Sequence, residues 1–255
     1  MALRVAALAI GLSLGLAASR PAPLGAQHAS PAPRDSAPAV PGEASSFRIV
    51  PRRPIAELRA EALAAEPPVE TPARQAADLV DLATVDPRIR FEIRYATTNN
   101  FMGVAMYDRA APRLQRPAAE ALGRVARTLA TEGLGLLVYD GYRPWYVTKM
   151  FWEATPDSQR VFVADPARGS RHNRGAAVDL TLYDLRTGRA LPMPSGYDEF
   201  SPRAYPDYAG GTEVERANRA RLRRAMEAEG FTVYEAEWWH FDHASWRAWA
   251  LGNVP

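Results

Sequence analysis

Four segments of the chain alternate or cluster apolar residues in the way that strands do. Residues 89–96 place apolar and charged side chains in turn, a period of two that is typical of a half-buried strand. Residues 177–183 repeat this pattern, which puts Asp179 on the polar face of a strand whose other face meets the core. Residues 134–140 are apolar almost throughout, so this strand is expected to be buried on both faces. A last strand is predicted over 231–241.

Three longer segments between these strands repeat apolar residues at helical spacing. They cover residues 116–133, 144–154 and 212–230, with prolines near the start of the first two and a capping threonine at the start of the third. Glycines end the first and the third. Strands separated by helices indicate a mixed α+β or α/β domain. The periodicity alone leaves open whether the sheet is parallel.

The N-terminal part of the chain has the composition of a leader and a linker. Residues 1–26 carry one arginine before an apolar stretch shorter than the ~20 residues of a membrane-spanning helix, which predicts a cleaved signal peptide; an uncleaved membrane anchor is the alternative. Residues 27–75 are rich in Pro, Ala and Ser and are predicted to be a disordered linker with a short helix. The folded domain is expected over 76–255. We therefore expect an exported protein, periplasmic or secreted, without stable membrane insertion after cleavage.

Charge and cysteine content limit the partners and cross-links that the protein can use. Its 31 basic and 29 acidic residues nearly cancel, and no run of basic residues could follow a phosphate backbone. Nucleic-acid binding is therefore not expected. The sequence has no cysteine, so export would bring no disulfides, and packing, alone or with a bound metal, must stabilise the fold.

Three histidines lie outside the linker, and two of them have a carboxylate close by in sequence. His172 is followed seven residues later by Asp179, and His240 follows Glu237 by three. Two imidazoles and one carboxylate can hold zinc and leave a fourth position for water, while a further carboxylate can serve as general base. The alternatives are a structural or solvated pair of His172 and Asp179, and a salt-bridged Glu237.

The geometry of a regular strand is an objection to such a zinc site. Residues three apart on a strand point to opposite faces, so Glu237 and His240 converge only if the strand ends, twists or bulges between them. His172 and Asp179 also require a bend, which Gly175 could supply. From the residues alone, a zinc site and a structural role both stay open.

Several spaced motifs resemble those of a known family. The stretches "SRHNRGAAVDLTLYDLRTG" and "EWWHF" are similar to the Ser-x-His-x6-Asp and Glu-x-x-His signatures of the VanX-type D-alanyl-D-alanine dipeptidases, part of a wider group of zinc peptidases that includes D,D-carboxypeptidases and the hedgehog signalling domain. "RYATTNNFMG", "YDGYRP", "YDEF" and "NRARLRRAMEAEGF" extend the resemblance, in order, over residues 78–245. The resemblance implies a single hedgehog-like α+β domain whose central, mainly antiparallel sheet is flanked by helices.

The resemblance also implies a metal centre and its general base. One Zn²⁺ per chain would be held by His172, Asp179 and His240, and Glu237 would be the general base. His243 is left over; it is either a fourth ligand, which would make the site structural, or an exposed residue, and the family pattern favours the second.

Four further residues receive roles from the resemblance. Arg143 would face the negative oxygen of the tetrahedral intermediate; the alternative is an arginine at the end of a strand, paired with Asp140. Asp198 and Tyr95 would bind the ammonium group of a dipeptide, and Ser170 its carboxylate. The alternative for Asp198 is a turn-forming residue.

The implied activity is zinc-dependent hydrolysis of the D-alanyl-D-alanine dipeptide to D-alanine, with a small dipeptide as the partner. A D,D-carboxypeptidase or endopeptidase that acts on the stem peptides of peptidoglycan is one alternative. A non-catalytic, zinc-stabilised binding module is another. Export would favour the scavenging of dipeptides released from cell wall over a role in glycopeptide resistance.

Overall fold

The structure, a computed structural model, describes residues 47–254 of the chain. The strands in this range are β1 (Leu79–Asp81), β2 (Ile89–Phe91), β3 (Arg113–Gln115), β4 (Leu134–Asp140), β5 (Ala177–Asp184), β6 (Phe231–Tyr234) and β7 (Glu237–His243). The α-helices are α1 (Ile55–Ala64), α2 (Arg116–Ala130), α3 (Trp145–Ala154) and α4 (Glu213–Glu227). The predicted signal peptide and the first part of the predicted linker lie outside the described residues.

Five strands form the central sheet, in the order β2, β4, β5, β7, β6. Strands β2 and β4 run parallel, and the other neighbouring pairs are antiparallel. Strands β1 and β3 form a separate antiparallel pair. The prediction of an α+β fold with a mainly antiparallel sheet and flanking helices is therefore confirmed.

The helices that flank the sheet follow from their sequences. Helix α2 has Pro at its N-terminal end and buries one apolar face, including Leu122, Val125 and Leu129, against β4. Helix α4 begins after Thr212, whose hydroxyl accepts a hydrogen bond from the Glu215 N–H while the Glu215 carboxylate accepts one from the Thr212 N–H. None of the helices within 47–254 is long and apolar enough to cross a membrane.

Two predicted strands differ from the observed ones. The strand predicted over 89–96 ends at Phe91, and residues Arg94–Ala96 form a 3₁₀ turn, because the Tyr95 side chain turns into the interior to reach Asp198. The single strand predicted over 231–241 is a hairpin, with β6 and β7 joined by a tight turn. That turn lacks the Gly and Asn residues that usually reveal a short hairpin connection in a sequence.

The side of β5 that was predicted to be polar is also buried. Asp179 and Thr181 are almost inaccessible to solvent, as are the apolar residues on the opposite face. Other parts of the chain cover this face; for example, the Tyr197 hydroxyl donates a hydrogen bond to Asp179 Oδ2 at 2.9 Å. The face therefore forms the floor of an enclosed site instead of a solvated surface.

Residues 47–75 pack on the domain, although the sequence indicated a linker up to residue 75. Helix α1 buries Leu58 and Ala62 and lies against α3, and Ile49 joins the hydrophobic core. The Glu70 carboxylate accepts hydrogen bonds from both terminal nitrogens of the buried Arg174 side chain. A few well-placed contacts hold this segment, even though its Pro- and Ala-rich composition contains few large apolar residues.

Candidate active site

Two histidines and an aspartate meet beside the central sheet. Asp179 on β5 pairs in register with His240 on β7, so both side chains lie on the same face of the sheet. His172 lies in a 3₁₀ turn just before β5, and Gly175 ends this turn in a left-handed conformation, with φ of 63°. The chain therefore bends between His172 and Asp179, and the three buried side chains converge.

The three converging atoms form a nearly equilateral triangle. Asp179 Oδ1 lies 3.2 Å from His172 Nε2 and 3.1 Å from His240 Nδ1, and the two nitrogens are 3.1 Å apart. Tetrahedral zinc, with bonds of about 2.0 Å, requires ligand atoms about 3.3 Å apart. Asp179 Oδ1 is also buried without a hydrogen bond of acceptable geometry. The distances between these three atoms therefore match those around a bound zinc ion, whereas direct hydrogen bonds among the side chains do not account for the arrangement.

Each imidazole is oriented by a contact on its other nitrogen. His172 Nδ1 lies 2.7 Å from the carbonyl oxygen of Gly141, and His240 Nε2 lies 3.0 Å from Asp242 Oδ1. A nitrogen that donates to such an acceptor carries the proton, so the opposite nitrogen keeps its lone pair. When both imidazoles are neutral, as metal binding requires, their lone pairs therefore point toward Asp179.

The charges of the site favour a cation. Burial disfavours the imidazolium form of His240, but Asp242 and Asp179 outweigh burial and raise the pKa of His240 to about 10. Burial likewise opposes ionisation of Asp179, yet the two neighbouring histidines hold the pKa of that carboxyl well below its usual range. The site thus stabilises positive charge where the three ligand atoms meet.

An irregularity in β7 brings Glu237 to the same place as His240. Tyr234 pairs with Glu237 while Val233 pairs with Phe241, so the register shifts between these two pairs. This break removes the objection that residues three apart on a regular strand diverge. Glu237 Oε2 lies 3.7 Å from His240 Nδ1, beside the ligand triangle. Burial raises the pKa of Glu237 to about 8, although the charge of His240 acts in the opposite direction.

Arg143 is buried next to the metal ligands. Its Nε donates to Asp140 Oδ2 at 2.9 Å, and its Nη2 lies 3.6 Å from Asp179 Oδ2. The guanidinium also lies over the rings of Tyr95 and Phe151, at 5.1 and 4.9 Å. The pairing with Asp140, which the sequence offered as an alternative, is therefore present, but it lies inside the site and not on the surface.

Tyr95 and Asp198 form a buried pair. The Tyr95 hydroxyl donates to Asp198 Oδ2 at 2.9 Å, and both side chains are at most 5% exposed. Burial, followed by the negative charge of Asp179, raises the pKa of Asp198 well above its ordinary value. Asp198 is also the one non-glycine residue of the described range with a positive φ, 58°. Aspartate is one of the few residues other than glycine that tolerate this left-handed conformation, and Asp198 lies in a turn, as its alternative interpretation expects.

All the candidate residues line one cavity. Ser170 is buried in the loop before the first ligand, and its hydroxyl accepts a hydrogen bond from the His172 N–H at 3.2 Å. The cavity has a volume of about 750 Å³. Its walls include Tyr95, Arg143, Ser170, His172, Asp179, Asp198, Glu237 and His240.

His243 lies apart from this cluster. Its Nδ1 is 2.8 Å from Ser245 Oγ, and its ring packs edge-on against Phe231. The interpretation of His243 as a fourth ligand is therefore wrong. The residues that the sequence did not single out are Asp242, Tyr197 and the Gly141 carbonyl. Asp242 could have been found, because residues two apart on a strand share a face.

Comparisons with known proteins agree on one family. A family model described as D-Ala-D-Ala dipeptidase, Peptidase_M15, matches residues 75–247. A D-alanyl-D-alanine dipeptidase of Escherichia coli K12 is 38% identical over 165 residues, which cover 65% of this chain and 84% of that protein. An Enterococcus faecium D-alanyl-D-alanine dipeptidase is 36% identical over 171 residues, covering 60% of this chain and 85% of that protein.

A protein of the same description from Streptomyces coelicolor is 36% identical over 182 residues, which cover 63% of this chain and 90% of that protein. Among solved structures, the LdcB LD-carboxypeptidase is 20% identical with a TM-score of 0.34, over 54% of this chain and 63% of that chain. The family assignment rests on the sequence matches.

Proposed function

The chain belongs to the Peptidase_M15 family of D-Ala-D-Ala dipeptidases, and from this premise we propose that it hydrolyses D-alanyl-D-alanine to D-alanine with one zinc ion per chain. The observation that carries the proposal is the ligand triangle of His172, Asp179 and His240, with the buried Glu237 carboxylate beside it. A purely structural zinc site needs no such base.

The metal would be held by His172 Nε2, Asp179 Oδ1 and His240 Nδ1, the atoms that converge. When bound, zinc lowers the pKa of water toward about 7 and polarises the scissile carbonyl. Tyr197 supports this arrangement, because its hydrogen bond to Asp179 Oδ2 leaves Oδ1 for the metal.

Glu237 would accept the proton of the attacking water and pass it to the leaving amine. Its carboxylate is suited to this role because it lies next to the ligands without being one of them. A raised pKa makes its ionised form a stronger base than a carboxylate with an ordinary pKa. The amine needs the proton, since it cannot leave as an anion.

Arg143 would stabilise the negative oxygen that develops on the attacked carbonyl carbon. Its guanidinium is held by Asp140 and by two aromatic rings, so it does not have to reorganise during the reaction. Fixed donors directed at developing charge are usually among the largest contributions to catalysis.

Recognition of both ends would restrict the substrate to dipeptides. The pair of Asp198 and Tyr95 would bind the ammonium, and Ser170 would bind the carboxylate. Phe101 and Phe151 pack around the Tyr95 ring, so side chains crowd the ammonium end of the site. This crowding favours a dipeptidase over a carboxypeptidase that acts on long stem peptides.

We also propose that the protein is exported, on the basis of the leader-like sequence of residues 1–26. An exported dipeptidase would meet D-alanyl-D-alanine released from cell wall and would return D-alanine as a nutrient. Fractionation of cells with detection of the N-terminus tests this. A protein found in the cytosol with its leader intact would contradict export and favour a role inside the cell.

Replacing Glu237 by glutamine tests the proposed mechanism. The side chain keeps its size but cannot accept a proton, so kcat on D-alanyl-D-alanine is expected to fall about 10²- to 10⁴-fold. Zinc content, measured by metal analysis after dialysis, should stay near one per chain.

Glu120→Gln is the matched control, because Glu120 is exposed on α2, away from the cavity. It should retain wild-type kcat. A Glu237→Gln variant that keeps its activity would rule out Glu237 as the base, and a wild-type chain that binds zinc without cleaving any dipeptide would support the binding module.

A further inference from the structure

Residues 47–49 lie outside the part of the chain that matches the family, yet they contact residues behind the proposed ammonium site. The Phe47 ring packs against the Phe200 ring, with 4.8 Å between centroids. The Ile49 N–H donates to the Phe101 carbonyl at 3.1 Å. Phe200 and Phe101 both line the cavity that contains Tyr95 and Asp198.

Residues on both sides of Asp198 are fixed by contacts that set where its carboxylate lies. Asp198 itself lies in a turn, with a left-handed φ of 58° that aspartate tolerates, so no regular strand or helix fixes its position. On the N-terminal side, the Tyr197 hydroxyl donates a hydrogen bond to Asp179. On the other side, the Phe200 ring lies among aromatic rings, at 5.0 Å from Phe101 and 4.8 Å from Phe162.

Phe47 adds a further ring to the contacts of Phe200. The Phe200 side chain is only partly buried, so its position depends on the rings around it. Phe101 also packs edge-on against Tyr95, with 6.1 Å between centroids. Both partners of the Asp198 and Tyr95 pair are therefore backed by residues that the 47–49 segment contacts.

We propose that Phe47 is a positioning residue that holds Asp198, through Phe200, in the geometry that binds the substrate's ammonium group. This inference rests on the proposed function. It gives the segment that precedes the family-matched region a role in substrate affinity. The metal ligands and Glu237 are held by other contacts, so they should not be affected.

The test compares Phe47→Ala, Phe47→Leu and Val50→Ala in the full chain with zinc. Val50 directly follows this segment but is 85% exposed, so it serves as the control. Steady-state kinetics on D-alanyl-D-alanine give KM and kcat. The same measurement on N-acetyl-D-alanyl-D-alanine, which lacks the ammonium, gives the discrimination between the two substrates.

Phe47→Ala should raise KM about 5- to 10-fold with kcat within about 2-fold, because a misplaced carboxylate weakens binding and leaves the metal site intact. Discrimination against the acetylated substrate should fall by a similar factor. Phe47→Leu should recover most of the affinity, and Val50→Ala should match the wild type. Zinc content should be equal in all of these proteins.

An unchanged KM and unchanged discrimination in Phe47→Ala would overturn the inference alone. So would a loss of kcat at constant KM, since that result indicates a smaller folded fraction and not a displaced carboxylate. A wild-type chain that neither binds nor cleaves the dipeptide would overturn the proposed function, and this inference with it.

Discussion

At the scale of single residues, the two imidazoles present different nitrogens to the ligand triangle. His172 uses Nε2 because its Nδ1 faces the Gly141 carbonyl, and His240 uses Nδ1 because its Nε2 faces Asp242. A carboxylate is the stronger acceptor of the two, and it also makes the imidazole a better ligand. Asp242 should therefore contribute to metal affinity although it does not touch the metal.

Replacing Asp242 by asparagine tests this contribution. The amide has nearly the same shape but no charge, and it can present its NH₂ group to the ring, so zinc affinity is expected to fall about 10- to 100-fold. Competition with a chelator of known affinity, followed by metal analysis, measures the change without relying on activity.

His243→Gln is the control for this experiment, because His243 is next to Asp242 but contacts Ser245 instead of a ligand. Its zinc affinity should equal that of the wild type. If Asp242→Asn binds zinc as tightly as the wild type, the orientation of His240 does not depend on Asp242.

Much of the site could be predicted at this scale, for a physical reason. Metal ligands and bases need particular residue types, and with so few histidines His172 and His240 were the main candidates. The neighbours that orient them are harder to find, because Tyr197 and the Gly141 carbonyl reach the site from distant parts of the sequence. No sequence pattern marks a backbone carbonyl as the partner of a histidine.

At the scale of secondary structure, the irregular pairing of β6 with β7 makes the site possible. The pattern of 231–241 predicts a strand, and convergence of Glu237 and His240 requires an irregularity between them, but the sequence locates neither the turn between β6 and β7 nor the register shift. A regular strand would have turned Glu237 away from His240. Periodicity reports which face a residue prefers, and it cannot show where pairing with a neighbouring strand is interrupted.

One carboxylate makes several of the contacts that join the segment after α1 to the domain. Glu70 accepts two hydrogen bonds from Arg174, at 2.7 and 3.1 Å, one from the Leu251 N–H and one from Arg74. Arg174 lies in the same short turn as His172. The ion pair thus joins the N-terminal segment, the turn that carries a metal ligand and the C-terminal residues.

Glu70→Ala should lower the free energy of unfolding by about 2–4 kcal/mol, because it leaves the Arg174 guanidinium buried without its anion. Urea unfolding followed by circular dichroism measures the change. Asp78→Ala is the matched control, since Asp78 forms a solvent-exposed pair with Arg116 and should cost less than about 1 kcal/mol. Equal effects of the two substitutions would contradict a structural role for the Glu70 pair.

At the scale of the whole molecule, the fold class could be predicted but the N-terminal extent of the packed chain could not. The order of strands and helices and the family resemblance both indicated an α+β domain, which the structure confirms. Composition indicated a linker over residues 47–75, because it averages over the few residues that pack, such as Leu58 and Ile49. Whether a single apolar side chain in such a segment is buried depends on the surface that the folded domain offers it, which composition does not show.

The walls of the cavity also bear on the choice between the candidate substrates. The buried pair of Tyr95 and Asp198 forms part of one wall, and other walls include partly exposed residues such as Val163 and Trp246. A free dipeptide can place its ammonium against this pair, whereas the chain of a stem peptide would have to continue past it. We therefore expect activity on D-alanyl-D-alanine and little on peptides that carry it at their C-terminus.

The most direct test of the proposed function is the release of D-alanine from D-alanyl-D-alanine by the purified protein, with zinc and after chelation. L-alanyl-L-alanine and a pentapeptide ending in D-alanyl-D-alanine are assayed beside it. We predict zinc-dependent cleavage of the D,D-dipeptide and far slower cleavage of the other two. Efficient cleavage of the pentapeptide, or activity that survives complete removal of the metal, would contradict the proposed function.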